Sequence, residues 1–107
     1  MKYHLRLAMA AKSDLREILR YVESHDSPES ADKLVNSIEQ TVTSLATMPE
    51  RGHHPPEMEQ IGIREFREIH CKPYRIIYSV HQDSVLVHCI LDGRRDMQTL
   101  LQQRLLR

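Results

Sequence analysis

Glycine is scarce in this chain, with three in 107 residues. A phosphate-cradling loop of the nucleotide-binding kind needs several glycines close together, so that chemistry is excluded. Cysteine is rarer still, with two. Cys71 and Cys89 form no Cys-x-x-Cys pattern, and neither a disulfide framework nor a zinc motif follows from them. No apolar run approaches the roughly 18 residues a membrane span needs. Met1 to Leu7 alternates polar and apolar residues and lacks the continuous apolar stretch of a signal peptide. These absences together predict reduced thiols and a cytoplasmic location, with Cys89 a small core residue of an apolar strand. An excess charge is missing too: Lys+Arg and Asp+Glu are both 15. That argues against an overall electrostatic grip on nucleic acid. The distribution leans slightly, with 7 basic and 9 acidic side chains in residues 1–57 and 8 and 6 in residues 58–107, a hint of a basic patch toward the C-terminal end.

What is present is a strong pattern of elements. The length predicts one domain over 1–107, able to bury roughly two-thirds of its unfolded surface. Residues 2–8 read as a short strand with Tyr3, Leu5 and Leu7 on one face. A helix is expected from Ala11 to His25, because Leu15, Ile18, Leu19 and Val22 fall at i, i+3, i+4 and i+7. Asp26-Ser27-Pro28-Glu29 interrupts it and opens a second helix: Ser27 suits the N-cap, Pro28 the first helical position, and Glu29 the positive end of the dipole. Ala31, Leu34, Val35, Ile38, Val42 and Leu45 form its apolar side, and Met48-Pro49 ends it. So short a break predicts an antiparallel helical hairpin. Pro49 to Gln60 reads as a loop. Strands follow at 62–70, 73–82 and 84–91, joined by links short enough for an antiparallel meander. Asp96 opens a last helix with Met97, Leu100, Leu101 and Leu105 as its apolar side. The order βααβββα predicts an α+β domain with one helical layer on a small antiparallel sheet.

The candidate chemistry lies mainly in arginines. Alternation sends Tyr74, Ile76, Tyr78 and Val80 to one face of their strand, and Arg75, Ile77 and Ser79 to the other. Arg94 and Arg95 follow the Asp92-Gly93 strand end, in a region with few acids, and Arg64 and Arg67 face opposite ways. A guanidinium binds carboxylate or phosphate through a planar fork. The structural alternative is that Arg75 or Arg95 pairs with a local acid such as Glu65, Glu68 or Asp96. The adjacent His53-His54 has no partner at a spacing suited to zinc, so no metal is expected. His88 could serve as an acid or base near neutral pH, against the plainer reading of a tolerated strand histidine. No Ser/His/Asp or Cys/His arrangement stands out, and Glu65 and Glu68 have no evident carboxylate partner.

The ordered set Ala11-x-x-Asp14-Leu15-x-x-Ile18-x-x-Tyr21, then Ala31, Leu34, Ile38, Leu45, Pro49 and Gly52, then Gly62-Ile63-Arg64-Glu65-Phe66, Tyr74-Arg75-Ile76-Ile77-Tyr78 and Arg94-Arg95-Asp96 resembles the ParE branch of the RelE/ParE toxin superfamily over nearly the whole chain. The resemblance implies the toxin of a type II toxin–antitoxin module and a RelE/ParE-like fold. ParE-type members inhibit DNA gyrase and trap its cleaved-DNA complex without catalysing a reaction; RelE-type members cleave mRNA on the ribosome. Arg75 and Arg95 match two RelE-type arginines. The two lysines of that branch fall at Phe66 and Glu68, and its last-helix tyrosine at Leu101. A carboxylate at 68 would repel the scissile phosphate, which favours the ParE branch.

The expectation is therefore a gyrase inhibitor with no cofactor and no catalytic residue, contacting its target through Arg67, Arg75, Arg94 and Arg95. The alternatives are a nuclease using Arg75, Arg95 and His88, and a non-toxic module that only binds antitoxin. The resemblance also implies a ParD-like antitoxin whose flexible segment orders against the helical hairpin, with Leu15, Leu19, Val22, Leu34 and Ile38 as candidate contacts. Sequence-specific DNA binding would belong to that antitoxin, and no membrane partner is implied.

Overall fold

The computed structural model describes residues 2–106. Its elements are β1 (His4–Leu7), α1 (Met9–His25), α2 (Pro28–Thr43) with a 3-10 turn (Ser44–Ala46), α3 (Pro56–Glu59), β2 (Phe66–Cys71), β3 (Tyr74–His81), β4 (Ser84–Asp92) and α4 (Met97–Leu105). The expected order is present with one addition, α3. The hairpin forms as its signals direct: the Ser27 hydroxyl accepts from Ser30 N–H at 3.0 Å, with Pro28 opening the helix. Asp96 caps α4 in the same way, accepting from Thr99 N–H at 3.2 Å and from the Thr99 hydroxyl at 2.9 Å.

β2, β3 and β4 make the expected antiparallel meander, and β1 joins β4 in parallel, giving the sheet order β1-β4-β3-β2. The sheet is therefore mixed rather than wholly antiparallel. The whole helical hairpin lies between β1 and the meander, so no tight turn forces β1 to run antiparallel to its neighbour.

Helices cover both faces, not one. On the first face α1 and α2 bury Ile38, Val42 and Leu45 against Ile69, Ile76, Tyr78 and Val87. On the second, Met58 of α3 and Met97 and Leu101 of α4 pack with Phe66, Ile77, Cys89 and Leu91. The period-2 alternation of β3 divides between these two cores as expected. β4 breaks its own alternation with a bulge: Cys89 pairs with Ile77 and Val87 with Tyr78, leaving His88 unpaired. The extra residue lets Val85, Val87 and Ile90 share one core although their spacing changes parity.

The stretch expected to be strand from 62 onward enters the sheet only at Phe66. Residues before it close α3 instead. Gly62 takes a positive φ of 81°, and Gly62 N–H and Ile63 N–H bond back to Glu59 and Met58 carbonyls at 3.0 Å each. Such a left-handed end suits glycine. α3 itself lies inside the expected 49–60 loop, and Pro56 at its first position with Glu57 in its first turn is a helix-start signal.

Candidate functional site

A dense polar cluster lies on the α4 side of the sheet. Arg75 of β3 donates from Nε to Glu68 Oε1 at 2.5 Å and from Nη2 to Glu68 Oε2 at 3.0 Å. The same guanidinium donates from Nη1 and Nη2 to both oxygens of Glu57 at 2.9 and 2.7 Å. Arg75 is 13% exposed and Glu68 only 1%. The hydrogen bond from Arg75 holds the Glu57 carboxyl below its ordinary range, and Glu57 in turn raises the Arg75 pKa. This is the alternative in which Arg75 pairs with a local acid, Glu68 being one of those foreseen. Glu57 was not foreseen as its partner. Its signal was available in Pro55-Pro56-Glu57, which starts a short helix aimed at β3.

Two backbone bonds set the other side of the cluster. His53 N–H donates to Glu68 O at 3.1 Å and Glu68 N–H to His53 O at 2.7 Å, so loop residue 53 sits directly across from β2 residue 68. Cross-strand neighbours and residues two apart on one strand share a face. His53 Nε2 accordingly lies 3.0 Å from Glu68 Oε2, and His70 Nε2 lies 3.3 Å from Glu68 Oε1. The loop is held close by Tyr78, whose hydroxyl donates to Pro49 O at 2.8 Å and accepts from Gly52 N–H at 3.0 Å. A Cβ at Gly52 would come within 2.5 Å of Glu68 O and of the Tyr78 hydroxyl, so only glycine fits there. The sequence reading paired His53 with His54; the fold turns His54 away, its Nδ1 lying 3.0 Å from Phe66 O.

The four arginines expected to contact a target do not converge. Arg67 lies on the hairpin side of β2 and donates to Gly52 O at 2.8 Å, whereas Arg75 is on the opposite side and fully engaged. Arg94 does meet an acid, contrary to the expectation that few lie nearby. Its Nε and Nη2 donate to the two oxygens of Asp92 at 2.9 and 2.6 Å, and its hydrogen bond lowers the Asp92 pKa. Arg95 is exposed and makes no side-chain hydrogen bond or ion pair among the described residues. Arg64 pairs with Glu59. A further arginine, not singled out from sequence, joins the two helical layers: Arg104 of α4 donates to Asp14 Oδ2 of α1 at 2.7 Å, and that oxygen also accepts from Ile90 N–H at 3.0 Å.

His88 occupies the bulge. Its Nε2 lies 2.7 Å from the buried Ser79 hydroxyl, which also lies 2.6 Å from His81 Nε2, and its ring meets Phe66 edge-on. Burial, then the neighbouring His81, lowers its pKa. Among the described residues no carboxylate hydrogen-bonds to the imidazole, Glu65 acting on it only through its charge, and Ser79 is too enclosed for attack on a substrate. The positions where the nuclease branch places its remaining groups are filled otherwise: Phe66 and Leu101 pack in one apolar core, and Glu68 neutralises Arg75.

Of the apolar residues expected to meet an antitoxin, Leu15 and Ile38 line a groove of about 300 Å³ together with Leu5, Leu7 and Val42. Ile38 is otherwise core, at 2% exposure. Leu34 packs on the same core, while Leu19 and Val22 are half-buried and do not line the groove. Leu5 and Leu7 of β1, which alternation places on one face with Tyr3, also line this groove but were not among the expected contacts.

Comparison with known proteins now decides the family. Residues 5–97 match the ParE toxin of type II toxin-antitoxin system, parDE. The chain belongs to the ParE toxin family. Its fold is that of a solved chain from the chromosomal ParDE toxin–antitoxin system of P. aeruginosa, with a TM-score of 0.68 at 21% identity over 83% of this chain and 94% of that one. A conserved hypothetical protein from Helicobacter pylori is similar at 18% identity, with a TM-score of 0.48 over 87% of this chain and 97% of the other. No curated protein matches significantly. As a ParE family member the chain is a toxin component of a type II toxin–antitoxin system. Among the described residues, no helix of this ParE family chain is long and apolar enough to cross a membrane.

Proposed function

We propose that this toxin acts by binding DNA gyrase and trapping its cleaved-DNA complex, and that a ParD-like antitoxin neutralises it. The observation that carries the choice over message cleavage is the state of Arg75. Its fork is occupied by Glu57 and Glu68, so it offers no site for a scissile phosphate. Catalysis on a 2′-hydroxyl would also need a proton carrier and free cations, whereas Phe66 and Leu101 are apolar core. A binding inhibitor needs neither. Of the expected target contacts, Arg94 and Arg95 in the turn before α4 remain available, Arg95 unpaired among the described residues and Arg94 in an exposed pair that solvent weakens. The antitoxin segment would lay apolar side chains into the groove between β1 and the helical hairpin, beside Leu15 and Ile38.

The test is purified toxin with gyrase, ATP and plasmid DNA. The expected outcome is lost supercoiling and linear DNA after protease treatment. Unchanged supercoiling at high toxin, with message cleavage in cells, would transfer the function to translation.

A further inference from the structure

We propose that His53, Glu68 and His70 form a binding site for a divalent transition-metal ion of the zinc class, which fastens the 49–55 loop to β2. One ligand atom from each of the three residues lies within 4.8 Å of the others. The two imidazole Nε2 atoms approach the two Glu68 oxygens at 3.0 and 3.3 Å. Zinc bonds to nitrogen and carboxylate oxygen are roughly 2.0–2.2 Å, so ligand atoms around a tetrahedral ion stand about 3.3 Å apart. Each imidazole already lies near that edge length from one Glu68 oxygen, His53 from Oε2 and His70 from Oε1, and a small side-chain rotation closes the remaining spread of up to 4.8 Å around one ion. The imidazoles meet edge to face with centroids 5.3 Å apart.

The backbone prepares this geometry before any ion arrives. The paired hydrogen bonds between His53 and Glu68 fix the loop against the strand, and β alternation places His70 beside Glu68. Arg75 orients the carboxylate and Glu57 orients Arg75, an arrangement of outer groups typical of metal sites. Glu57 and Glu68 carry two negative charges against the single positive charge of Arg75, so the cluster keeps a net negative charge to attract a cation. Access is open: His53 is 60% and His70 is 42% exposed, although Glu68 is buried. Two histidines and one carboxylate leave a further coordination position to solvent. The competing arrangement has the same coordinates without an ion, each imidazole simply donating a hydrogen bond to Glu68.

The two are separated by titrating chelator-treated protein with Co²⁺, followed by the visible d–d absorption, then displacing it with Zn²⁺. One ion per chain is expected, with at least a tenfold loss of affinity in His53→Ala and in His70→Ala. His54→Ala and Cys71→Ser should bind as the parent does, because neither residue belongs to the cluster. The His variants leave the buried Glu68–Arg75 pair intact, and circular dichroism checks their folding. No absorption change, retention of binding in the two His variants, or its loss in Cys71→Ser would each overturn the site.

Discussion

At the scale of single residues, Arg75 and Arg95 are chemically alike and physically opposite. Arg75 neutralises a carboxylate that is 1% exposed, and removing one partner of a buried pair costs about 3–5 kcal/mol because the other charge is stranded. Arg75→Ala should therefore lower stability by that amount in urea or guanidinium unfolding. Arg95 is exposed and unpaired among the described residues, so Arg95→Glu should change stability by less than about 0.5 kcal/mol while weakening gyrase inhibition. An Arg95→Glu protein that inhibits as well as the parent would remove Arg95 from the target surface. The difference between the two arginines was not legible in the sequence. Alternation told which face Arg75 takes, but its second partner lies 18 residues away in α3, and only the return of that turn onto the sheet brings them together.

At the scale of elements, local signals and outcome agree where the signal is self-contained. Ser27-Pro28-Glu29 starts α2 and Asp96 starts α4, each by a side chain bonding to the backbone three residues on. α4 is the clearer test, since it is short, at 9 residues, and isolated helices of that length are unstable in water. Asp96→Ala should cost about 1 kcal/mol, measured by thermal unfolding, and should loosen the side of the molecule carrying Met97 and Leu101. The signals were less complete at residues 56–65. The run Ile63 to Ile69 looks like strand by composition, yet a one-turn helix and the Gly62 bend occupy its approach. So short a helix carries no periodicity to read, and its stability comes from burying Met58.

For the molecule as a whole, both sheet faces are covered, and the ionisable groups beneath those layers set a pH profile. Glu57 has a folded pKa below its ordinary 4.5, chiefly through Arg75. Its contribution is complete above that value and fades as pH falls through the lowered one. His88 has a pKa below 6.5 through burial and His81, opposed by Glu65; it faces Ser79 and Phe66. Unfolding lets it take a proton more readily, so stability falls as pH drops below 6.5 toward the lowered value. Unfolding free energy should thus decline in two stages on acidification. His88→Gln should flatten the upper stage and leave the lower one in place, a result that denaturant titrations at stepped pH would show or refute.

Periodicity, caps and turn residues are local properties, and the sequence by itself determined with them the helical hairpin, the meander, the division of β3 between two faces and the ordered pattern shared with ParE toxins. Tertiary structure alone decided which polar groups meet. The parallel docking of β1, the bulge that turns His88, and the clustering of His53 and His70 around Glu68 depend on segments far apart in the chain. Pairing between them follows from how the sheet closes and the loop folds back onto it, and no local pattern encodes that distance.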